Sequence, residues 1–264
     1  MKIKSAGAFA GLLLACGLPA LFAQADVKAL VTYDRNAVVS VVNPAAQADA
    51  LILAQGTLPF ARISRMEFEF GDGLTAQKCE SLFKNGAFDP LEKLLADALM
   101  PVNSFVRLPG NLDVYLTWQM KVQFWNGHYA EMAQTVDLLK RRNAPSAGLA
   151  GIYSALALIE QNRPAEAAQI VSALDNAEAI SAPAALFVRA RLAMAKKEHR
   201  EALQMLARIV VLHDKDPEWM PAATLYEGLI YSRTGCPEAA GNIANELIGK
   251  YPDGYWSRRA AELK

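Results

Sequence analysis

The chain has 264 residues, and its 27 basic side chains balance its 27 acidic ones. A charge this even gives no electrostatic hold on nucleic acid, so a nucleic-acid partner is excluded at the outset.

The first residues read as a secretory signal. Lys2 and Lys4 make a positive start, Ala6 to Ala15 is an apolar run, and Ala23-Gln24-Ala25 puts small residues at the two cleavage-defining positions. The run is too short to cross a bilayer as a helix. Cleavage after Ala25 would leave 264 − 25 = 239 residues from Asp26, with 25 bases against 27 acids. Alternatively, Leu13-Leu14-Ala15-Cys16 resembles a bacterial lipobox, and a lipidated Cys16 would anchor the protein to a membrane. The greasy stretch Gly17 to Phe22 that would then follow is a poor tether and favours cleavage at Ala25. No second long apolar run follows, so no transmembrane span is expected after processing.

Residues 26–71 carry strand signals. Val27–Tyr33, Ala37–Val42, Ala50–Ala54, Thr57–Phe60 and Met66–Phe70 are short runs of strand formers divided by turn residues, and Met66 to Phe70 alternates apolar with charged side chains. Five strands in so short a segment predict a small antiparallel barrel or sheet. A module this small is marginal alone and is expected to pack on the first helices.

From residue 74 to 264 the pattern is helical. Leu74–Phe83 and Asp89–Leu99 form a first pair about Asn85-Gly86, and Met100–Gly110, with Pro101 and Pro109, is a connector. The second pair is Asn111–Asn126 with Tyr129–Arg142, and the third is Ala147–Gln161 with Ala165–Asp175. The fourth is Pro183–Lys197 with Arg200–His213, the fifth is Pro221–Thr234 with Pro237–Tyr251, and Trp256–Lys264 closes the chain. Breakers fall where turns are needed, at Asn162, Pro164, Pro217, Gly235 and Pro237.

The second to fifth pairs repeat one another. Gly127-His128-Tyr129-Ala130-Glu131-Met132, Asn162-Arg163-Pro164-Ala165-Glu166-Ala167, Lys197-Glu198-His199-Arg200-Glu201-Ala202 and Gly235-Cys236-Pro237-Glu238-Ala239-Ala240 are each a polar turn opening a helix. Their last residues, 132, 167, 202 and 240, are spaced by 35, 35 and 38. A period in this range signals stacked helix pairs, none of which can bury its own apolar face.

These repeats resemble tetratricopeptide repeats over roughly residues 74–254. In the fifth, Gly228 and Ala240 fall at the two small positions where the paired helices touch, with Tyr231, Gly235 and Pro252 in place. The fourth has Ala190, Ala193, Lys197 and Ala202, and the third Ala155, Leu158, Asn162 and Ala167. The second carries Met120 and Met132 at the small positions, and the first keeps only Gly86 and Phe88. The last residues of the array, Tyr251 to Trp256, resemble repeat ends of bacterial periplasmic and outer-membrane members of the family. The resemblance implies an α-solenoid of about five helix pairs whose first helices line a concave groove. It assigns to that groove Lys121, Phe124 and Trp125, then Leu149, Ile152 and Leu156, then Phe187, Arg191 and Met194, and finally Leu225, Leu229 and Arg233. Paired Asn and Lys residues that would clamp a carboxylate terminus are missing from the set. The same apolar residues would instead be core if neighbouring repeats or the β module covered them.

Catalytic chemistry finds little support. His128, His199 and His213 are isolated in sequence, with no His-Glu-x-x-His or Cys-x-x-Cys pattern, and Gly71-Asp72-Gly73 lacks the Lys of a phosphate cradle. Cys79 and Cys236 sit in the first and last pairs, too far apart in an open array to join, and are read as unpaired. Trp118, Phe124, Trp125 and Tyr129 cluster in the second pair as core or as an exposed anchor. The expectation is a non-enzymatic scaffold or adaptor of the periplasm or outer-membrane periphery, needing no cofactor or metal and binding a protein or peptide. A lipid-anchored structural protein and a regulatory subunit of an envelope enzyme are the alternatives.

Overall fold

The computed structural model describes residues 27–264 apart from 35, 72, 143–145 and 175–180. The expected signal segment and Cys16 lie outside the described residues.

The N-terminal module holds β1 (Lys28–Tyr33), β2 (Ala37–Val42), β3 (Ala46–Gln47), β4 (Ala50–Leu53), β5 (Gly56–Pro59) and β6 (Ile63–Glu69). They form two antiparallel three-stranded sheets, ordered β2-β1-β6 and β3-β4-β5, and neither closes into a barrel. Alternation sets the inward face: Ala29 and Val31 of β1 and Met66 and Phe68 of β6 are buried, while Lys28 and Leu30 point out. The five expected strands are present. The sixth, β3, is two residues long, too short to leave a periodic trace in the sequence.

This module packs directly on the helices, as its size required. The Met66 N–H donates to the Pro109 carbonyl at 2.8 Å, the Phe68 and Phe105 rings lie 6.0 Å apart, and Phe70 meets Tyr115 edge-on at 5.0 Å. A Cβ on Gly110 would stand 1.7 Å from the Met66 carbonyl oxygen, so only glycine lets the connector run this close to β6.

The helices are α1 (Ala76–Lys84), α2 (Phe88–Leu99), α3 (Leu112–Trp125), α4 (Tyr129–Arg141), α5 (Ala147–Glu160) and α6 (Pro164–Leu174). They continue with α7 (Ala182–Ala195), α8 (His199–Leu212), α9 (Trp219–Arg233), α10 (Pro237–Lys250) and α11 (Tyr255–Ala261). Thr75 opens α1, its hydroxyl accepting the Lys78 N–H at 3.1 Å. The five pairs share one turn. Gly86, Gly127, Asn162, Lys197 and Gly235 all take positive φ, between 60° and 80°. The next N–H then reaches the carbonyl five residues back, from Ala87 to Leu82, His128 to Gln123, Arg163 to Leu158, Glu198 to Ala193 and Cys236 to Tyr231, at 2.8–2.9 Å. This is a Schellman ending, and it aims each second helix back along the first.

Small residues let the paired helices close. Ala167, Ala202 and Ala240 are wholly buried, and a Cβ on Gly228 would come within 2.6 Å of Leu263 and 3.0 Å of Ile243. The odd-numbered helices α1, α3, α5, α7 and α9 touch in succession, and each even-numbered helix covers its own partner.

The array does not run open from end to end. After α10 the chain turns back, and α11 docks on the α1–α2 turn. The Tyr255 N–H donates to the Gly86 carbonyl at 2.8 Å, and Arg258 meets Asp89 at 3.0 Å. A Cβ on Gly254 would lie 2.5 Å from the Asn85 oxygen, so a glycine allows the two backbones to touch. The first pair and the closing helix α11 are therefore neighbours. The driving force is aromatic: rings from both ends and the middle of the array, among them Phe88, Trp125, Phe187, Trp219 and Trp256, meet centroid to centroid at 4.9–6.4 Å. One continuous core spans the β module and all the helix pairs.

Candidate partner-binding site

The inner face of the helix pairs is filled by its own side chains. Phe124, Trp125, Ile152, Leu156, Phe187, Arg191, Met194 and Leu225 are buried, Lys121, Leu149 and Leu229 are half-buried, and Arg233 is exposed. The open concave surface expected from the resemblance is thus corrected over most of its length. Most of those side chains are covered by the chain itself: Tyr255 and Trp256 of α11 pack on Trp125, and Trp219 packs on Trp125 and Phe187. Within the aromatic run of the second pair, Phe124 and Trp125 are core while Trp118 and Tyr129 are half-buried at its border.

Several polar side chains on this inner face pair with one another. Glu218, buried just before α9, accepts from Lys121 at 2.8 Å and from the Trp125 indole at 3.1 Å. The Lys121 ammonium also lies over the Phe83 and Trp118 rings, so this lysine staples α3 to the start of α9. Asp216 holds that start, accepting the Glu218 and Trp219 N–H groups at 2.9 and 2.7 Å. Deeper in, Arg191 donates to Glu160 at 2.7 Å and stacks on Tyr226 at 3.9 Å, and the Tyr226 hydroxyl donates to the same carboxylate oxygen at 3.1 Å. Burial holds the Tyr226 phenol above its ordinary range.

An opening lies at the seam where α11 meets the turns of the array. It is a cleft of about 450 Å³. Its wall is aromatic, from Phe124, Trp125, Tyr129, Tyr226 and Tyr255, and its rim is charged, from Asp89, Glu160, Arg258, Arg259 and Glu262. Burial pushes the Tyr255 phenol up to about 12, so it stays a neutral donor at physiological pH. Arg258 pairs with Asp89, and Arg259 lies 3.5 Å from Glu262. The buried Nε of Arg259 has no acceptor among the described residues. Beside the cleft, His128 bonds Glu92 at 2.8 Å, and that bond raises the imidazole pKa.

Of the groove set, Phe124 and Trp125 alone line this cleft. Sequence reasoning passed over Arg258, Arg259 and Asp89. Asp89 lies in the first pair and the two arginines beyond the last, and they meet only because α11 returns to the α1–α2 turn, so no local pattern could mark them. Among the described residues, no three His, Cys, Asp or Glu side chains gather where they could hold a metal, and no helix is long and apolar enough to cross a membrane. Cys79 is buried and Cys236 exposed, both with free thiols.

No protein-family model, no curated protein and no solved structure matches the chain.

Proposed function

We propose that this protein is a non-enzymatic interaction module, a tetratricopeptide-like array that takes up a protein or peptide at the mouth of its groove rather than along the whole concave face. The observation that carries the reading is the seam cleft of about 450 Å³, with its aromatic wall, rim of mixed charge and unanswered buried donor on Arg259. Interface energy concentrates in aromatic and Arg anchors, and a buried donor without an acceptor is satisfied when a partner supplies one. A concavity of this size suits a short segment of a partner. The secretory signal read in the first 25 residues places this binding in the periplasm or at the outer-membrane periphery.

Affinity capture of the protein from its own envelope, with mass spectrometry, tests the reading against a double variant, Arg258→Glu with Arg259→Glu. Arg258 is 54 % exposed and Arg259 39 %, so the melting temperature of the variant is measured alongside to separate a loss of partner from a loss of fold. The wild type should retain a partner that the variant loses at least tenfold. Equal recovery by both proteins would remove the cleft from the interface.

A further inference from the structure

The two edges of the β2-β1-β6 sheet are treated differently. On β6, the outward backbone groups belong to Met66 and Phe68, and both are answered. The Met66 N–H reaches Pro109, and the Asn111 amide mimics a strand by accepting the Phe68 N–H and donating to its carbonyl, both at 2.9 Å. On β2, the Asn43 N–H donates to the Val27 carbonyl at 2.6 Å, which makes residues 27 and 43 a hydrogen-bonded pair. Alternation along the antiparallel ladder then turns the Ala37, Val39 and Val41 backbone groups toward β1 and those of Val38, Ser40 and Val42 away from it. Among the described residues no strand pairs with that outer side.

Edges of this kind are ordinarily blunted by charge, proline or a bulge. β2 reads Ala-Val-Val-Ser-Val-Val, has none of these, and leaves Val38 56 % and Val42 55 % exposed beside Leu30 at 46 %. A slot of about 620 Å³ runs along it, walled on the far side by Ile52, Leu53, Ala54 and Gln55. None of the residues lining the slot is charged.

We propose that the outer edge of β2 is a strand-addition site for an extended, uncharged segment of another protein with apolar side chains at alternate positions. The Val38, Ser40 and Val42 backbone groups supply its hydrogen bonds. One row of its side chains enters the slot against Val39, Val41 and Leu53, and the other lies over Val38 and Val42. Six residues of β2, at about 3.3 Å each, offer about 20 Å of template. An uncharged slot selects an uncharged segment, because a charge placed there would lose water without gaining a partner. The wall opposite β2 favours a single strand over a second copy of this chain, whose own β1 would follow its β2 into that wall. The site shares no lining residue with the seam cleft and does not depend on it.

The test uses the full chain and a fluorescent, end-capped hexapeptide of alternating Val and Thr, read by anisotropy. The peptide should bind, and the same peptide N-methylated throughout, which keeps the side chains but loses every donor, should bind at least tenfold more weakly. Replacing its Val residues by Lys should also abolish binding. Ser40→Pro removes one outward N–H and no bond to β1, and should weaken binding at least tenfold. Should Ser40→Pro melt early, Val42→Lys keeps every β1 bond while charging the edge, and should weaken binding likewise. No binding by the wild type, or binding indifferent to both N-methylation and the variants, overturns the proposal. A dimer in sedimentation that Ser40→Pro dissolves also overturns it, by giving the edge to a second copy. None of these outcomes is altered by Arg258→Glu with Arg259→Glu, so this site and the seam cleft stand or fall separately.

Discussion

Glu227 lies on α9, half-buried, facing Glu246 of α10. Burial pushes its carboxyl up to about 7, and the Glu246 charge adds to the effect. A glutamate in the unfolded chain titrates near about 4.3. Between about pH 4.3 and 7 the folded protein therefore holds a proton that the unfolded chain has released, and stability falls as pH rises through that window. Glu227→Gln should raise the melting temperature at pH 8 and leave it almost unchanged at pH 4. Melts across the range check this, and a gain independent of pH would mean that Glu227 is already ionised in the fold. Arg191 makes a related point at this scale. From sequence a lone Arg among apolar residues reads as a groove fringe, whereas here it is buried against Glu160 and Tyr226, where removing Glu160 would strand its charge.

Helix pairs are the unit in which this chain repeats, and both ends of the repeat are visible in its residue types. The turn needs one residue at positive φ, met by Gly86, Gly127 and Gly235 and, at greater strain, by Asn162 and Lys197. The contact needs a small side chain, met by Ala167, Ala202 and Ala240, all wholly buried. Ala167→Leu, Ala202→Leu and Ala240→Leu should each cost about 1–3 kcal/mol through overpacking. Each kcal/mol should lower the melting temperature by about 2–4 °C in a chain of this size. Val211→Ala, at an exposed position of α8, serves as the neutral control. If the three leucine variants melt with the parent, the repeat register assigned to them fails. The strands were legible for a different reason. Half-buried strands such as β6 alternate with period two, while β3, with two residues, offers no period to read.

At the scale of the molecule the decisive contact is the seam between α11 and the α1–α2 turn. Gly254→Ala would press a methyl against the Asn85 carbonyl, with backbone on both sides and little room to yield. The variant should lose about 1–3 kcal/mol. Thiol labelling reads the loss directly. Cys236 is exposed and should react at once, whereas Cys79 is buried in α1, the helix that leads into the seam, its thiol pushed up to about 11 by that burial, and should react only on unfolding. Each 1.4 kcal/mol lost should speed Cys79 labelling about tenfold. Unchanged Cys79 protection in the variant would show that the seam opens independently of the core.

Sequence by itself determined what is local or periodic: the five helix pairs, their turns and small contacts, and the strands longer than two residues. Those features are written in residue spacing because each depends on neighbours a few positions away. Tertiary structure alone decided whether the inward face stays open. Apolar side chains at groove positions look the same whether a partner covers them or the chain does, and here the chain covers most of them, with Tyr255 and Trp256 closing over Trp125. The meeting of Arg258 with Asp89, and of the Gly254 and Gly86 turns, joins residues more than 160 positions apart. Contacts of that range are fixed by the accumulated geometry of every intervening helix, and no stretch of sequence carries them alone.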